Sequence, residues 1–107
     1  MAAAPPFFRE LMAAHEEGDY GKLEPLLSAQ MKTGLTRQTF DDMVRNRMAP
    51  LGGLANAEFL GSLRKPTATQ TLWKARYGAS DSDALWQMVL ATNEGTVQIV
   101  GLMLSLP

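Results

Sequence analysis

The sequence predicts a single α+β domain in which three N-terminal helices precede a four-stranded antiparallel sheet. Two observations carry this prediction. The last third of the chain holds three segments rich in β-branched and aromatic residues, at 68–77, 84–92 and 96–105, with a short polar interruption between each pair. The first half instead spaces its apolar residues three and four apart, as amphipathic helices do. The chain has 107 residues, for which one hydrophobic core is expected.

The first predicted helix begins at two prolines. Pro5 and Pro6 suit its first turn, because the N–H group that proline lacks has no helical partner there in any case. Four residues at i, i+3, i+4 and i+7 form its buried stripe: Phe8, Leu11, Met12 and His15. Gly18 is expected to end this helix as a C-cap. Residues 1–6 are predicted to be a disordered or cloning-derived N-terminus, and residues 7–107 the domain itself.

Two further helices are predicted before the sheet. Asp19 is a suitable N-cap for the second helix, which Pro25 should kink or split because proline removes a backbone hydrogen bond. Residues 28–34 are interpreted as a connector. The third helix takes Thr36 as its N-cap and closes at Pro50 and the two glycines that follow. Its buried stripe is expected to be Phe40, Met43, Val44, Met48 and Leu51.

The four predicted strands show period-2 alternation to different degrees. The first runs from Leu54 to Arg64, and Gly61 within it indicates a bulge or bend. One face of this strand is expected to carry Ala55, Ala57, Phe59 and Leu63. In the second strand, Thr71, Trp73, Ala75 and Tyr77 alternate with Leu72, Lys74 and Arg76. Gly95 can adopt the positive φ that a tight turn between the last two strands requires.

The last two strands are apolar on both faces, which indicates that something covers the second face of the sheet. The residues assigned to that second face are Leu85, Val89, Val97, Ile99 and Met103. We therefore expect the chain to form a homodimer through its outer sheet face.

Composition argues against several classes of function. Ten Lys and Arg against eleven Asp and Glu give a net charge of −1, which provides no overall field to attract nucleic acid or an anionic membrane. The chain has no cysteine, which excludes disulfides, thiolate chemistry and cysteine zinc sites. No apolar run approaches the roughly 20 residues of a spanning helix. A small basic patch, expected where Arg64, Lys65, Lys74 and Arg76 converge, is interpreted as a solvated surface.

Four short pieces occur in order along the chain: Gly18-Asp19-Tyr20, Met31-Lys32 ahead of Leu35-Thr36, Leu51-Gly52, and the terminal segment 95–103. In this order they resemble bacterial domains of unknown function in the nuclear transport factor 2-like, or cystatin-like, superfamily. The resemblance extends from Phe7 to Leu104. It implies a curved sheet wrapped around helices as a cone, whose mouth can hold a small molecule and whose outer face is often a dimer interface. Pro25, Gly61 and the short chain depart from the superfamily's pattern.

Acid–base chemistry has few candidates. His15 is the sole imidazole; it could serve as a proton shuttle, although a buried helix histidine with a hydrogen-bonded ring is the simpler interpretation. The superfamily's enzymes imply a carboxylate paired with a proton donor, for which Asp19 with Tyr20 or Glu58 with Arg76 are the candidates. As simpler alternatives, Asp19 is an N-cap, Tyr20 a core residue, and Glu58 with Arg76 a solvated cross-strand pair.

No metal site and no cofactor are predicted. Residues 81–83 supply two oxygen ligands of a calcium loop without its remaining acids. Five residues are predicted to bind a ligand, in the cone or on a sheet face: Tyr20, Trp73, Tyr77, Trp86 and Met88.

We therefore expect a non-catalytic module for small apolar ligands or for homodimerisation, with no nucleic-acid partner and no membrane insertion. The alternative is a small acid/base enzyme, of the isomerase, cyclase or hydrolase type, acting on an apolar substrate in the cone. The Ala- and Pro-rich start leaves two locations open: periplasmic or secreted, after removal of a signal peptide, and cytoplasmic.

Overall fold

The computed structural model describes residues 3–106, in which four α-helices precede a four-stranded sheet. The helices are α1 (Ala4–Glu17), α2 (Tyr20–Leu23), α3 (Ala29–Gly34) and α4 (Arg37–Met43). The strands are β1 (Leu54–Arg64), β2 (Thr69–Tyr77), β3 (Ala84–Asn93) and β4 (Thr96–Ser105). They form an antiparallel meander in the order β1-β2-β3-β4. The predicted α+β class and antiparallel sheet are confirmed.

Helix α1 has the ends that its sequence predicts. The prolines occupy its first turn, and Gly18 ends it in the left-handed conformation at φ 64°. The helix begins earlier than expected, however. Residues 4–6, which were assigned to a disordered terminus, belong to its first turn, and Ala4 is buried. Ala3 is the N-cap residue of α1, and Met1 and Ala2 lie outside the described residues.

The segment 28–34 is a helix, so the prediction of a connector there is wrong and the number of α-helices is four. The Ser28 hydroxyl accepts a hydrogen bond from the Met31 N–H at 3.2 Å, which caps α3. Ala, Gln, Met and Lys follow this cap, and all four favour helices. The other predicted cap residues are confirmed: Asp19 accepts from the Gly21 N–H at 3.0 Å, and Thr36 forms a capping box with Thr39.

Two prolines mark changes in helical winding, as their missing N–H groups require. Pro25 lies in a tighter 3-10 turn, Glu24–Leu26, that ends the α2 segment. Beyond α4 the chain widens into a π-type turn at Val44–Met48 and then tightens again at Ala49–Leu51, which contains Pro50. The π-type turn contains Arg47, which lines the site described below.

A bulge in β1 reverses its alternation. Phe59 pairs with Trp73 and Gly61 pairs with Leu72, which leaves Leu60 as an extra residue. The bend expected at Gly61 is therefore confirmed. Directly opposed residues share a face, and beyond the bulge Leu63 pairs with Gln70, on the face opposite to Phe59. The prediction that Phe59 and Leu63 lie on one face is wrong for this reason.

A second bulge, at Val100 in β4, has the same effect. Leu90 pairs with Ile99 and Val89 pairs with Gly101, so Val100 is the extra residue. Ile99 consequently faces the helices and is fully buried. Val97, which precedes it on the same face, points inwards as well, whereas Met103 lies on the outer face opposite Gln87. The assignment of Val97 and Ile99 to the outer face is thus corrected.

The core lies between the helices and the inner face of the sheet. Phe8 of α1 stacks on Trp73 of β2, with ring centroids 4.1 Å apart and planes 5° apart. The predicted inner-face residues of β2 are all buried: Thr71, Trp73, Ala75 and Tyr77. Their polar atoms are satisfied, since the Thr71 hydroxyl donates to the Met88 carbonyl at 2.7 Å and accepts from the Trp73 indole at 2.9 Å.

The outer edge of β4 is partly covered by the chain itself. Leu27 forms a parallel bridge with Ile99, and the Ser28 N–H donates to the Ile99 carbonyl at 3.0 Å. This contact anchors the start of α3 beside β4. Residues of α3 and of the following part of β4 together line a cavity, which is described below.

Candidate ligand-binding site

A cavity of about 670 Å³ lies between α3 and β4, and we call it the α3–β4 groove. Buried His15 and Trp86 form its base. One wall is α3 with Leu35, and the other is the last half of β4 from Val100 to Leu104. Met43 and Arg47, from α4 and the π-type turn after it, also line the groove. Eight of the thirteen lining residues are apolar, so the groove offers an apolar surface with few polar groups.

The imidazole of His15 is held rigidly at the base of the groove. Its Nδ1 donates to the Leu11 carbonyl at 2.8 Å, one helical turn earlier, so that in the neutral ring Nε2 carries the lone pair. Phe40 and Trp86 pack against the ring at centroid distances of 4.9 Å and 5.0 Å. Burial lowers the pKa of His15, and the hydrogen bond to Leu11 opposes this shift only in part. The ring is therefore neutral at pH 7, as the simpler interpretation of the sequence expects.

None of the carboxylates near His15 in sequence is hydrogen-bonded to it. Glu16 Oε1 instead accepts from the Leu54 N–H at 2.6 Å, Glu17 pairs with Lys22 at 3.7 Å, and Asp19 caps α2. The residues that line the groove include no Asp or Glu. His15 thus has no acid with which to form a proton relay in this arrangement.

The two predicted acid–base pairs are not assembled either. The Tyr20 hydroxyl donates to the Leu35 carbonyl at 2.6 Å rather than meeting Asp19. Glu58 pairs with Lys74 at 3.1 Å, and this carboxylate raises the pKa of Lys74. Arg76 lies opposite Asn56 in the sheet. Tyr20 is a core residue, as the simpler interpretation expects, but the cross-strand pair of Glu58 with Arg76 is wrong, because Lys74 is the residue opposite Glu58.

The five residues predicted to bind a ligand are all buried, at 7% exposure or less: Tyr20, Trp73, Tyr77, Trp86 and Met88. Of these, Trp86 lines the α3–β4 groove. Trp73 lines a smaller cavity of about 220 Å³ with Ala4, Pro5, Phe59 and Thr71. The other three line neither of these two cavities and pack in the core. Their role in ligand binding stays a prediction.

Tyr77 and Trp86 are joined in the core. The Trp86 indole donates to the Tyr77 hydroxyl at 3.0 Å. Burial raises the pKa of Tyr77, an effect to which the charge of Glu16 adds and which the hydrogen bond from Trp86 opposes. This bond fixes the indole that forms the base of the groove.

Sequence reasoning missed the residues that build the walls of the groove. Met31 and Thr33 were placed in a connector, and Arg47 was not among the candidate residues. The cap at Ser28 was a local signal that could have revealed α3 and so one wall. The sequence offers no comparable signal for Arg47, because its position depends on the π-type turn that contains it.

The predicted basic patch does not form. Arg64 lies opposite Thr69 at one end of the β1–β2 pair, and Arg76 lies opposite Asn56 at the other end. Seven residues of extended strand separate these two levels, roughly 23 Å at 3.3 Å per residue. Within residues 3–106, no cluster of three or more His, Cys, Asp or Glu is arranged to hold a metal ion. None of the helices in that range combines the length and apolar character needed to cross a bilayer.

Comparison with solved structures identifies the fold. An NTF2-like (nuclear transport factor 2-like) protein from Campylobacter jejuni, described as a transpeptidase, superposes with a TM-score of 0.65 at 12% identity, over 90% of this chain and 96% of that one. This chain has an NTF2-like fold. A SEC-C motif-containing protein from Rhodopseudomonas palustris superposes with a TM-score of 0.64 at 12% identity, over 91% of this chain and 74% of that one. No protein-family profile and no curated protein sequence matches the chain. At this identity the likeness establishes the fold alone.

Proposed function

We propose that this NTF2-like chain is a non-catalytic module that binds a small, mostly apolar molecule in the α3–β4 groove. The observation that carries the proposal is the groove itself. Its volume of about 670 Å³ falls within the range of roughly 300–1,000 Å³ typical of small-molecule sites. Fully buried Trp86 lies beneath its base, and the partly exposed side chains of Leu102 and Leu104 supply apolar surface on the β4 wall. Met31 and Met43 supply unbranched side chains that adapt to the shape of a ligand.

Binding is favoured over catalysis by the groove's chemistry. A cone-type acid/base enzyme needs a carboxylate or another base beside the reacting atom. The groove is lined by one titratable ring, His15, and that ring already donates to Leu11. The polar groups beside it are Gln30, Thr33 and Arg47. These groups can orient a ligand by hydrogen bonds or charge without changing it chemically.

The proposal is tested with N-phenylnaphthylamine, a neutral apolar dye whose emission rises in an apolar site. We expect saturable binding that quenches Trp86 emission in a Trp73→Phe variant, in which Trp86 is the sole remaining tryptophan. Leu102→Trp, which fills the groove, should weaken dye binding about tenfold or more. Leu72→Trp, at a half-buried position on the outer face, is the matched control and should leave the affinity within about twofold.

Equal loss of affinity in the two Trp variants would place the dye elsewhere on the protein. Absence of saturable binding to the unmodified chain would remove the proposed function. Circular dichroism and thermal unfolding establish that each variant keeps its fold, so that a loss of binding is not a loss of structure.

A second function, homodimerisation through the outer sheet face, is favoured by one observation. Met103 and Leu63, which both lie on that face, are 58% and 55% exposed. Half-buried Leu72, Leu85 and Val89 lie between them. Polar pairs interrupt this surface, including Glu58 with Lys74 and Gln70 with Gln87. A surface that mixes apolar and polar residues in this way is typical of interfaces between chains that are also stable as monomers.

A further inference from the structure

We propose that the ligand of the α3–β4 groove is an amphipathic anion, whose carboxylate, sulfonate or phosphate group is held by Arg47 while its apolar body lies against the methionines and leucines of the walls. This inference rests on the binding function proposed above and adds the chemical class of the ligand. The groove is otherwise short of charge. Its lining contains one Arg, Arg47, and no Lys, Asp or Glu.

The charge of Arg47 is not neutralised within the described chain. Three ion pairs occur among residues 3–106: Glu17 with Lys22, Asp42 with Arg45, and Glu58 with Lys74. Arg47 belongs to none of them, and its side chain is exposed. Arg45, two residues earlier, differs in this respect, because Asp42 holds its guanidinium at 2.6 Å. Of these two neighbouring cations, the unpaired one lines the groove.

The chain geometry places this cation beside an apolar side chain of the groove. Met43 and Arg47 are four residues apart, a spacing that brings side chains to the same side of a helix, and both line the groove. A ligand with its apolar part against Met43 is therefore within reach of Arg47 with its charged group. The planar guanidinium offers paired N–H donors that match the oxygens of carboxylate, sulfonate or phosphate.

Acidic side chains do not oppose an anion in this position. The lining residues include no Asp or Glu. Asp42, five residues before Arg47, pairs with Arg45, and Glu16, next to His15 in the chain, accepts from the Leu54 N–H. An ammonium group in the same place would meet the like charge of Arg47 and no acceptor carboxylate. The groove therefore favours an anion over a cation of equal size.

Two dyes with the same aromatic frame test this inference. Anilinonaphthalene sulfonate carries a sulfonate that N-phenylnaphthylamine lacks, so the pair isolates the contribution of the anion. Arg47→Gln should weaken binding of the sulfonate about tenfold and leave the neutral dye within about twofold. Arg45→Gln removes the same charge from the same segment without touching the groove, and it should change neither affinity beyond about twofold. Binding of the sulfonate should also weaken with added salt, and that of the neutral dye should not.

The outcomes separate this inference from the function it rests on. If the neutral dye binds in the groove and Arg47→Gln leaves the sulfonate affinity unchanged, the anionic ligand class is wrong and the binding function stands. If Arg45→Gln weakens the sulfonate as much as Arg47→Gln does, the effect is one of general surface charge and the assignment to Arg47 is wrong. If neither dye binds in the groove, both proposals fall together.

Discussion

Trp86 and Tyr77 form a buried hydrogen bond of 3.0 Å, from the indole Nε1 to the phenolic oxygen, behind the base of the groove. Tyr77 is 3% exposed and Trp86 is fully buried, so neither group has access to water as a substitute partner. Tyr77→Phe would leave the indole N–H unpaired in the core. We expect this change to lower the free energy of unfolding by about 1–3 kcal/mol, as measured by urea denaturation.

The same variant should also weaken ligand binding slightly, since a less restrained Trp86 indole forms the base of the groove. Equal stability of Tyr77→Phe and the unmodified chain would show that this hydrogen bond does not contribute to the core. The nearby Met12 sulfur, 4.0 Å from the Tyr77 hydroxyl, is too weak an acceptor to account for a loss of this size.

Buried His15 predicts an acid-sensitive fold. Because burial lowers its pKa below the ordinary value of 6.5, the unfolded chain binds a proton more readily than the folded one. The stability associated with the neutral ring is fully present above pH 6.5 and is lost as the pH falls from there through the lowered folded-state pKa. Urea midpoints measured from pH 7.5 to 5 should therefore decline. This window lies above the ordinary carboxyl pKa values of about 4.

His15→Gln provides the control for this decline, since glutamine can keep a hydrogen bond to the Leu11 carbonyl and does not titrate. Its urea midpoint is expected to be lower than that of the unmodified chain at pH 7.5 and nearly constant down to pH 5. A decline as steep as that of the unmodified chain would assign the acid sensitivity to other groups.

Glu16 connects the end of α1 to the start of β1, because its carboxylate accepts the Leu54 N–H at 2.6 Å. Glu16→Ala removes this charge-assisted bond and should lower the free energy of unfolding by about 1 kcal/mol in urea. Glu17→Ala is a close control. Glu17 is the next residue of α1 and pairs with Lys22 at 3.7 Å on the surface. Its replacement is therefore expected to change the free energy of unfolding by no more than about 0.5 kcal/mol. Indistinguishable effects of the two substitutions would contradict a special role for Glu16.

Substitutions at two residues of β4 test the prediction of a homodimer. Val100 and Met103 are both exposed and both line the groove, and Met103 in addition lies on the outer face opposite Gln87. If the outer face is a homodimer interface, Met103→Glu should shift sedimentation equilibrium from dimer to monomer because it buries a charge in the interface. Val100→Glu should leave the dimer intact. An unmodified chain that sediments as a monomer at micromolar concentration would exclude this interface.

The parts of the fold that could be predicted from the sequence are those with local causes. Gly18, Asp19 and Thr36 end or begin helices through hydrogen bonds and backbone angles that involve only their near neighbours. Pro25 acts within its own turn in the same way. Ser28 obeys the same rule, and α3 was missed because the sequence around it has no apolar stripe of its own.

The face assignments failed where the cause was not local. A bulge adds one residue and exchanges every later side chain between the faces. Gly61 marked the bulge of β1, but Val100 lies in a continuous apolar run that fits either face equally well. Only pairing with β3 reveals that Ile99 is inside and Met103 outside. The groove was unpredictable for the same reason, since one of its walls begins at Val100.

Because Leu27 and Ser28 contact Ile99, the two edge strands of the sheet differ in how far their backbone is covered. Along β4, the backbone is partly shielded by the chain's own start of α3. Within residues 3–106, the eleven-residue strand β1 is paired with a strand on one side only. The amide and carbonyl groups along its other side face no strand. Pairing of β1 with a strand of another copy is therefore the expected route to aggregation. The bulge at Leu60 opposes this pairing, because it makes the edge of the sheet irregular. Deleting Leu60 to straighten this strand would be expected to make the protein prone to aggregation rather than more stable.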